Sequence, residues 1–369
     1  MVINYKCPSC GAPMLFNPET QKLSCDYCGT TLSVEEYKKQ FGDPEKREET
    51  AEEKAAEKAQ KVETEEEGAK AEGETGPSMK VKRYICPSCG AEVVTDELTA
   101  ATMCSFCGNT TLMEDVLEEK CPVEVIPFKI TKEQALEKFK AWTKKGLFTP
   151  KDFKSANTME KMTGIYVPFW LVDYKANVKL HAHCTRTRTT RTRDMEYIYT
   201  DHFDVRRDVD AGYTKIPMDA SEKMEDKTMD LLEPFHYEDL KKFEMPYLSG
   251  YLAEVYSQTD KDMEERGKGR VRKYAVDEAM ATITGYSGVN IIQQNLRIDE
   301  EKAEYVMLPV WMLNYRYKDK TYQFALNGQT GKQVGTLPLS KGRMAGFFGG
   351  LTAGIWILLT LIHIIGGVV

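Results

Sequence analysis

An excess of positive charge is the first thing this sequence lacks. Its 369 residues hold 50 Lys and Arg against 57 Asp and Glu, a formal net charge of −7. Affinity for nucleic-acid phosphates comes from clustered cations that release counterions, so the overall charge counts against a nucleic-acid protein. Histidine is scarce, at five residues. The motifs H-E-x-x-H, G-x-x-x-x-G-K-[ST] and G-x-S-x-G are missing, which removes the usual signatures of zinc hydrolases, P-loop NTPases and α/β-hydrolases. Gly328-Gln-Thr-Gly331-Lys332 is too short for a phosphate loop and reads as a hairpin turn; without such a loop, Asp277-Glu-Ala-Met280 is no helicase box. These absences predict a protein that is not an enzyme. The N-terminal MVINYKCPSC has no basic segment followed by an apolar one, so no secretory signal is expected and the N-terminus is expected in the cytoplasm.

What is present is unevenly distributed. Residues 43 to 75 carry 13 acidic and 6 basic residues, the whole net charge, and almost nothing apolar. The expectation is an acidic, disordered linker over 42–79, extended by its own repulsion. On either side of it the same unit is written twice, YKCPSCGAPMLFNPETQKLSCDYCGTTL from Tyr5 and YICPSCGAEVVTDELTAATMCSFCGNTTL from Tyr84. Cys7, Cys10, Cys25 and Cys28 thus recur 79 positions later as Cys86, Cys89, Cys104 and Cys107. Two thiolates separated by two residues fit on one tight turn, and two such turns complete a tetrahedron with no open position. The reading is a structural zinc ion in each of two ribbons, residues 1–41 and 80–120, hence two zinc ions per chain. The rivals are a rubredoxin-like iron centre and redox-active Cys-x-x-Cys pairs. The Gly after each second Cys (Gly11, Gly29, Gly90, Gly108) is expected to let amides point at the sulfurs. Lys6 and Lys22 balance Glu19 and Asp26 in the first ribbon, so four thiolates around Zn²⁺ leave it slightly anionic, which disfavours phosphate contact.

From residue 121 to 340 the composition is that of a folded domain. Thr131 is an N-cap candidate for a helix with Ala135, Leu136, Phe139 and Trp142 on one face. GIYVPFWLVDYKANVKLHAH and MEYIYTDHFDV read as strands, and DASEKMEDKTMDLLEPF and EMPYLSGYLAEVYSQTD as helices. Pro168, Trp170 and Tyr174 recur 141 positions later as Pro309, Trp311 and Tyr315. One α+β domain of two related halves is therefore expected, with a tight turn at Asn327-Gly328 supplying positive φ. In His181-Ala-His183-Cys184 the alternation of a strand sends both imidazoles one way and the thiol the other, which reads as ordinary side chains and not a metal site. Thr185 to Arg193 is an Arg/Thr stripe, read as a solvated hairpin tip balanced by Asp194, Asp201, Asp204, Asp208 and Asp210; its functional alternative is contact with anionic lipid.

No Asp, Glu, Lys or Arg follows Arg343. The 26 residues of 344–369 exceed the roughly 20 needed to cross a bilayer, and Lys341 and Arg343 fit a cytoplasmic edge. Gly346, Gly350 and Gly354 share one face, on which a second copy or a membrane partner could pack closely.

With two CPSCG ribbons, an acidic linker, paired Pro-x-Trp motifs, YLSGYLAEVY (Tyr247 to Tyr256), NGQTGK and an apolar terminal helix, the chain resembles a family of bacterial membrane-anchored double zinc-ribbon proteins, often named after the transcription-initiation-factor IIB zinc ribbon or the primosomal helicase. The resemblance implies a non-enzymatic, tail-anchored adaptor that recruits phage-shock-protein-A-like or flotillin-like partners to the cell membrane during envelope stress, and it carries over only the eight ribbon cysteines. The fold expectation is thus α+β: two zinc ribbons, a duplicated α+β cytoplasmic domain and one transmembrane helix. The alternative function is a membrane-tethered nucleic-acid-binding factor acting through the ribbons.

Overall fold

A computed structural model describes residues 5–41, 73–75, 78–86, 92–95, 113–150, 153, 159, 161–224, 226–317 and 320–366. Cys89, Cys104, Cys107 and residues 42–72 of the expected linker lie outside the described residues. The architecture is mixed α+β with five α-helices among the described residues. The first unit is a three-stranded sheet, β1 (Leu15–Asn17), β2 (Lys22–Ser24) and β3 (Thr31–Leu32), closed by α1 (Val34–Phe41). An eleven-stranded sheet takes up most of the rest. Into it come β4 (Ser78–Ile85), β5 (Glu92–Thr95), β6 (Met113–Lys120) and β7 (Glu124–Val125). Helix α2 (Lys132–Lys144) leads to two very long strands, β8 (Thr163–Arg191) and β9 (Glu196–Asp219). After α3 (Asp226–Leu232), β10 (Lys241–Lys242) and β11 (Leu252–Glu254) comes α4 (Asp260–Ala281), then β12 (Gly288–Tyr317), β13 (Lys320–Asn327), β14 (Gln333–Gly335) and α5 (Lys341–Gly366).

The axis of the molecule is the antiparallel pair β8–β12, in which Val167 faces Leu308 and Tyr166 faces Pro309. Burial along β8 changes partway. Gly164 to Val172 are all buried, whereas from Tyr174 to Cys184 the even positions are buried and the odd ones are not. A strand covered on both faces reads as an unbroken apolar run, and one covered on a single face alternates. The cover on the alternating part is α4, whose buried stripe Met263, Gly267, Val271, Ala275, Ala279 repeats every fourth residue. Its small residues let the helix approach closely, and a Cβ on Gly267 would come within 2.0 Å of the Tyr174 hydroxyl.

The two parts of the domain repeat their contacts. Short β7 pairs parallel with β12 at Val306 and Met307; short β11 pairs parallel with β8 at Ile165 and Ala253↔Tyr166. Each short strand is followed by a capping-box helix, Thr131 with Gln134 for α2 and Thr259 with Asp262 for α4. A Thr hydroxyl accepting from the third helical amide satisfies a donor that the helix itself cannot.

Several expectations need correcting. Residues 244–260, expected as a helix, hold only a 3-10 turn at Met245–Leu248 and strand β11 at Leu252–Glu254 before α4 starts at Asp260. The turn after β13 takes its positive φ at Gly331 (φ 76), and the buried Asn327 carboxamide oxygen accepts from the amides of Gln329 and Thr330 at 2.9 Å each. The end of the expected linker is pinned to the domain: Glu74 exchanges backbone hydrogen bonds with Ala303 (2.7 Å) and Tyr305 (2.9 Å), and strand β4 already begins at Ser78.

Among the described residues one helix, within Lys341–Leu361, is long and apolar enough to cross a membrane. Unlike a core helix it is exposed along its length, Phe347, Leu351, Ile355 and Trp356 included. It joins the domain at its first turn, where Arg343 donates to the carbonyl of Thr149 and Phe347 meets Phe148 edge-on at 5.5 Å.

Candidate metal centre

Two matching turns bring four cysteines together. In the first, the Cys7 amide donates to Ala12 O (2.7 Å) and the Gly11 amide to Cys7 O (2.8 Å); in the second, Cys25 donates to Thr30 O and Gly29 to Cys25 O, both at 2.9 Å. Gly11 and Gly29 sit at φ 75 and 74, a left-handed conformation that glycine adopts without the penalty of a Cβ. The glycine amides therefore close the turns on carbonyls instead of pointing at sulfur. The backbone groups directed at sulfur are those of Ser9 and Cys10 toward Cys7, Ala12 toward Cys10 and Thr30 toward Cys28.

The sulfurs of Cys7 and Cys28 lie 3.3 Å apart, those of Cys10 and Cys25 3.5 Å, and all four fall within 4.8 Å of one another. Zn–S bonds of about 2.3 Å at tetrahedral angles require S–S edges of about 3.8 Å, which this spread brackets. Cys7 and Cys25 are buried, Cys10 and Cys28 exposed. Without a cation the thiols divide their protons unequally. Burial opposes ionisation of Cys7, yet the Ser9 amide, Cys28 and the Cys10 amide outweigh it and draw the thiol down to about 6. Cys10 moves the other way, up to about 12: the Ala12 amide favours its thiolate, but Cys28, desolvation, Cys25 and Cys7 together prevail. The cluster can hold a metal ion, and four thiolates would leave it no open coordination position.

The cluster's unit is built into the domain. The Phe16 amide donates to Ser249 O at 3.2 Å, the Ser249 hydroxyl returns a bond to Met14 O at 2.9 Å, and the Phe16 and Tyr247 rings meet edge to face at 5.2 Å. Gln21 donates to Phe128 O at 2.8 Å and Lys38 pairs with Glu244 at 3.0 Å. The second unit begins in the same way: β4 and β5 pair Ile85 with Glu92, the equivalent of the Lys6–Pro13 bridge 79 residues earlier, and Cys86 is buried at the position matching Cys7. β5 then joins the large sheet through Val94↔Ala253 and Val93↔Glu254 of β11.

The other residues singled out from sequence are dispersed. Cys184 is buried on the covered face of β8, and His183 lies on the open face. Arg188 pairs with Asp201 at 2.9 Å, and Arg186 donates to Gly285 O and lies over the Phe203 and Tyr286 rings. The stripe ends β8, 27 residues from Gly164 (up to about 90 Å at about 3.3 Å per residue), whereas α5 starts beside the other end of that strand.

One buried polar group escaped sequence reasoning. Ser221 donates to Glu254 at 2.6 Å, Asp219 lies in the same pocket of the fold, and neither Asp219 Oδ2 nor Glu254 Oε2 has a hydrogen-bond partner. Desolvation raises the Glu254 carboxyl to about 8, reinforced by the Asp219 charge and opposed by Ser221 and Lys223. Asp219 rises to about 7, again chiefly through desolvation, with the Ser221 amide and Arg266 opposing and Asp226 and Asp230 adding to it. Nothing local marked these two acids, since each sits in a short apolar run.

Fold and site define a mixed α+β protein with a four-cysteine metal-ligand cluster and one apolar C-terminal helix. No family model matches the chain, and no solved structure is similar to it. It is similar to the Bacillus subtilis (strain 168) protein named "Uncharacterized protein YdjG", 39% identical over 372 residues that take in 100% of this chain and 99% of that protein. The chain belongs to the family of that Bacillus protein.

Proposed function

We propose that this protein is a non-enzymatic, tail-anchored adaptor that recruits protein partners to the bacterial cell membrane from its cytoplasmic side. Two structural zinc ions, at Cys7, Cys10, Cys25, Cys28 and at Cys86, Cys89, Cys104, Cys107, stabilise its ribbons. The two parts of the large domain descend from one duplicated unit. The observation that carries the reading is the junction at Phe148, Thr149 and Arg343, which ties the folded domain directly to an exposed apolar helix and so would tether that domain to a bilayer. A cluster with all four positions filled by thiols supports a structural metal over a hydrolytic one. The repeated β–capped α–long β order supports duplication. The family resemblance points the adaptor toward phage-shock-protein-A-like or flotillin-like partners in envelope stress, and the exposed face with Gly346, Gly350 and Gly354 offers a place for two copies to meet.

Crosslinking in membranes, gentle solubilisation and mass spectrometry test the proposal. A stoichiometric protein partner should co-purify with the full chain, and deletion of residues 344–369 should shift both to the soluble fraction. Recovery of nucleic acid in place of protein, with salt-sensitive binding by residues 1–112, would overturn it in favour of a nucleic-acid factor.

A further inference from the structure

The open face of the β8–β9 hairpin holds a group of side chains that no contact with the core requires. His183 faces Asp204, His181 faces Arg206 and Thr185 faces His202 across the hairpin. In a pleated pair the directly opposed residues and their diagonal neighbours point to one side, so His181, His183, His202 and Asp204 form one contiguous patch. In sequence His181 and His183 share one strand face and read as ordinary side chains. The turn at Thr192–Met195 brings His202 back beside them.

The contacts run along the diagonals. His183 Nε2 lies 2.9 Å from His202 Nδ1, with the ring centroids 5.1 Å apart. His181 Nε2 contacts the Asp204 carboxylate, whose other oxygen lies 3.6 Å from Arg206. Three of the chain's five histidines meet on this patch. Two imidazole nitrogens at this separation share either one proton or one metal ion. Metal–nitrogen bonds of about 2.0–2.1 Å place cis ligands about 2.9 Å apart at a right angle and about 3.4 Å apart at a tetrahedral one. The observed spacing matches the right angle. A tetrahedral zinc ion would have to spread the pair by about 0.5 Å. Imidazole donors with a carboxylate nearby suit Cu²⁺ and Ni²⁺ in tetragonal geometry, and a carboxylate bonded to the third imidazole fixes its ring orientation.

The patch also borders open volume. A cavity of about 440 Å³, lined by Lys179, His181, Arg206, Asp208, Gln293 and Asn295, runs along the same face.

We propose that His183 and His202 form a solvent-open, two-imidazole site for a tetragonal divalent transition metal of the Cu²⁺/Ni²⁺ class, chemically separate from the thiolate cluster. On metal entry the donor imidazole of the pair carries its proton on its other ring nitrogen instead, so that His183 Nε2 and His202 Nδ1 both present lone pairs, and water fills the remaining positions.

Nickel is the probe of choice because Cu²⁺ would oxidise the cysteines. The untagged full chain, purified in detergent with zinc supplied, is titrated with Ni²⁺ by calorimetry while the near-ultraviolet spectrum is followed for thiolate-to-nickel charge transfer. One equivalent should bind without a thiolate band, and His183→Ala or His202→Ala should each weaken binding at least ~10-fold. Both imidazoles are exposed, so the variants should keep the wild-type near-ultraviolet circular dichroism, and Arg188→Gln should bind as wild type does. Undiminished nickel binding by the double variant, no binding at all by the wild type, or binding seen only with the thiolate band would overturn the proposal.

Discussion

Trp170 and Trp311, 141 residues apart, make the same hydrogen bond. Each indole N–H donates at 2.9 Å to the carbonyl of the residue just before a helix N-cap, Trp170 to Gln258 ahead of Thr259 and Trp311 to Ile130 ahead of Thr131. Each therefore locks a long strand to the start of the helix belonging to the other half of the domain. The pairing is reciprocal: each half's tryptophan holds the other half's helix.

That reciprocity predicts matched costs. Trp170→Phe and Trp311→Phe each strip one buried donor from a carbonyl while keeping most of the aromatic volume, and each should destabilise by about 1–2 kcal/mol. Urea unfolding of the two variants should give shifts of similar size. A large shift for one and none for the other would mean that the two contacts do not carry equal weight.

Two glycines of α4 should respond in opposite directions. Gly267→Ala drives a methyl into the Tyr174 hydroxyl, which lies 2.0 Å from the ideal Cβ position, and should cost about 1–3 kcal/mol. Gly269 has nothing within 4 Å, so Gly269→Ala should stabilise the helix by about 0.5–1 kcal/mol through propensity alone. Thermal unfolding midpoints of the pair check the packing of α4 on β8.

Metal removal should loosen more than the ribbon. Because the Phe16 amide donates to Ser249 O and the Ser249 hydroxyl donates to Met14 O, Cys10→Ser or a strong chelator should raise amide hydrogen exchange both in residues 5–41 and around Met245–Glu254. Elemental analysis should find zinc, and Cys10→Ser should carry one equivalent less than the wild type. Iron in place of zinc would identify the rubredoxin-like alternative.

The buried acids give the protein an unusual pH dependence. Glu254 and Asp219 have folded-state pKa values raised to about 8 and about 7, above the roughly 4 expected of the unfolded chain, so the folded state binds more protons than the unfolded state across that interval. Their contribution is complete below about pH 4 and is lost as pH rises through 7 and 8. Denaturation midpoints should therefore fall between pH 6 and pH 8.5, and Glu254→Gln should flatten that fall. A midpoint that rises over the same range would show both carboxyls ionised in the fold.

What the sequence alone determined is what short-range chemistry controls. The Cys-x-x-Cys spacing with its following glycine specifies a turn, and Cys7, Cys10, Cys25 and Cys28 converge as expected. An uncharged stretch beginning at Met344 specifies a helix long enough for a bilayer, and Thr131 caps its helix where the pattern put it. Tertiary structure decided what depends on distant surfaces being buried together. Ser249 reaches Met14 across 235 positions, and this contact, with Phe16 against Tyr247, joins the first unit to the core of the domain. The same holds for His202 beside His183, set by the register of a hairpin whose turn has no strong glycine signal, and for Glu254, whose proton affinity comes from the β5 and β8 neighbours that exclude water from it. Local propensity acts within a few residues, whereas desolvation and strand register are settled only when the whole sheet closes.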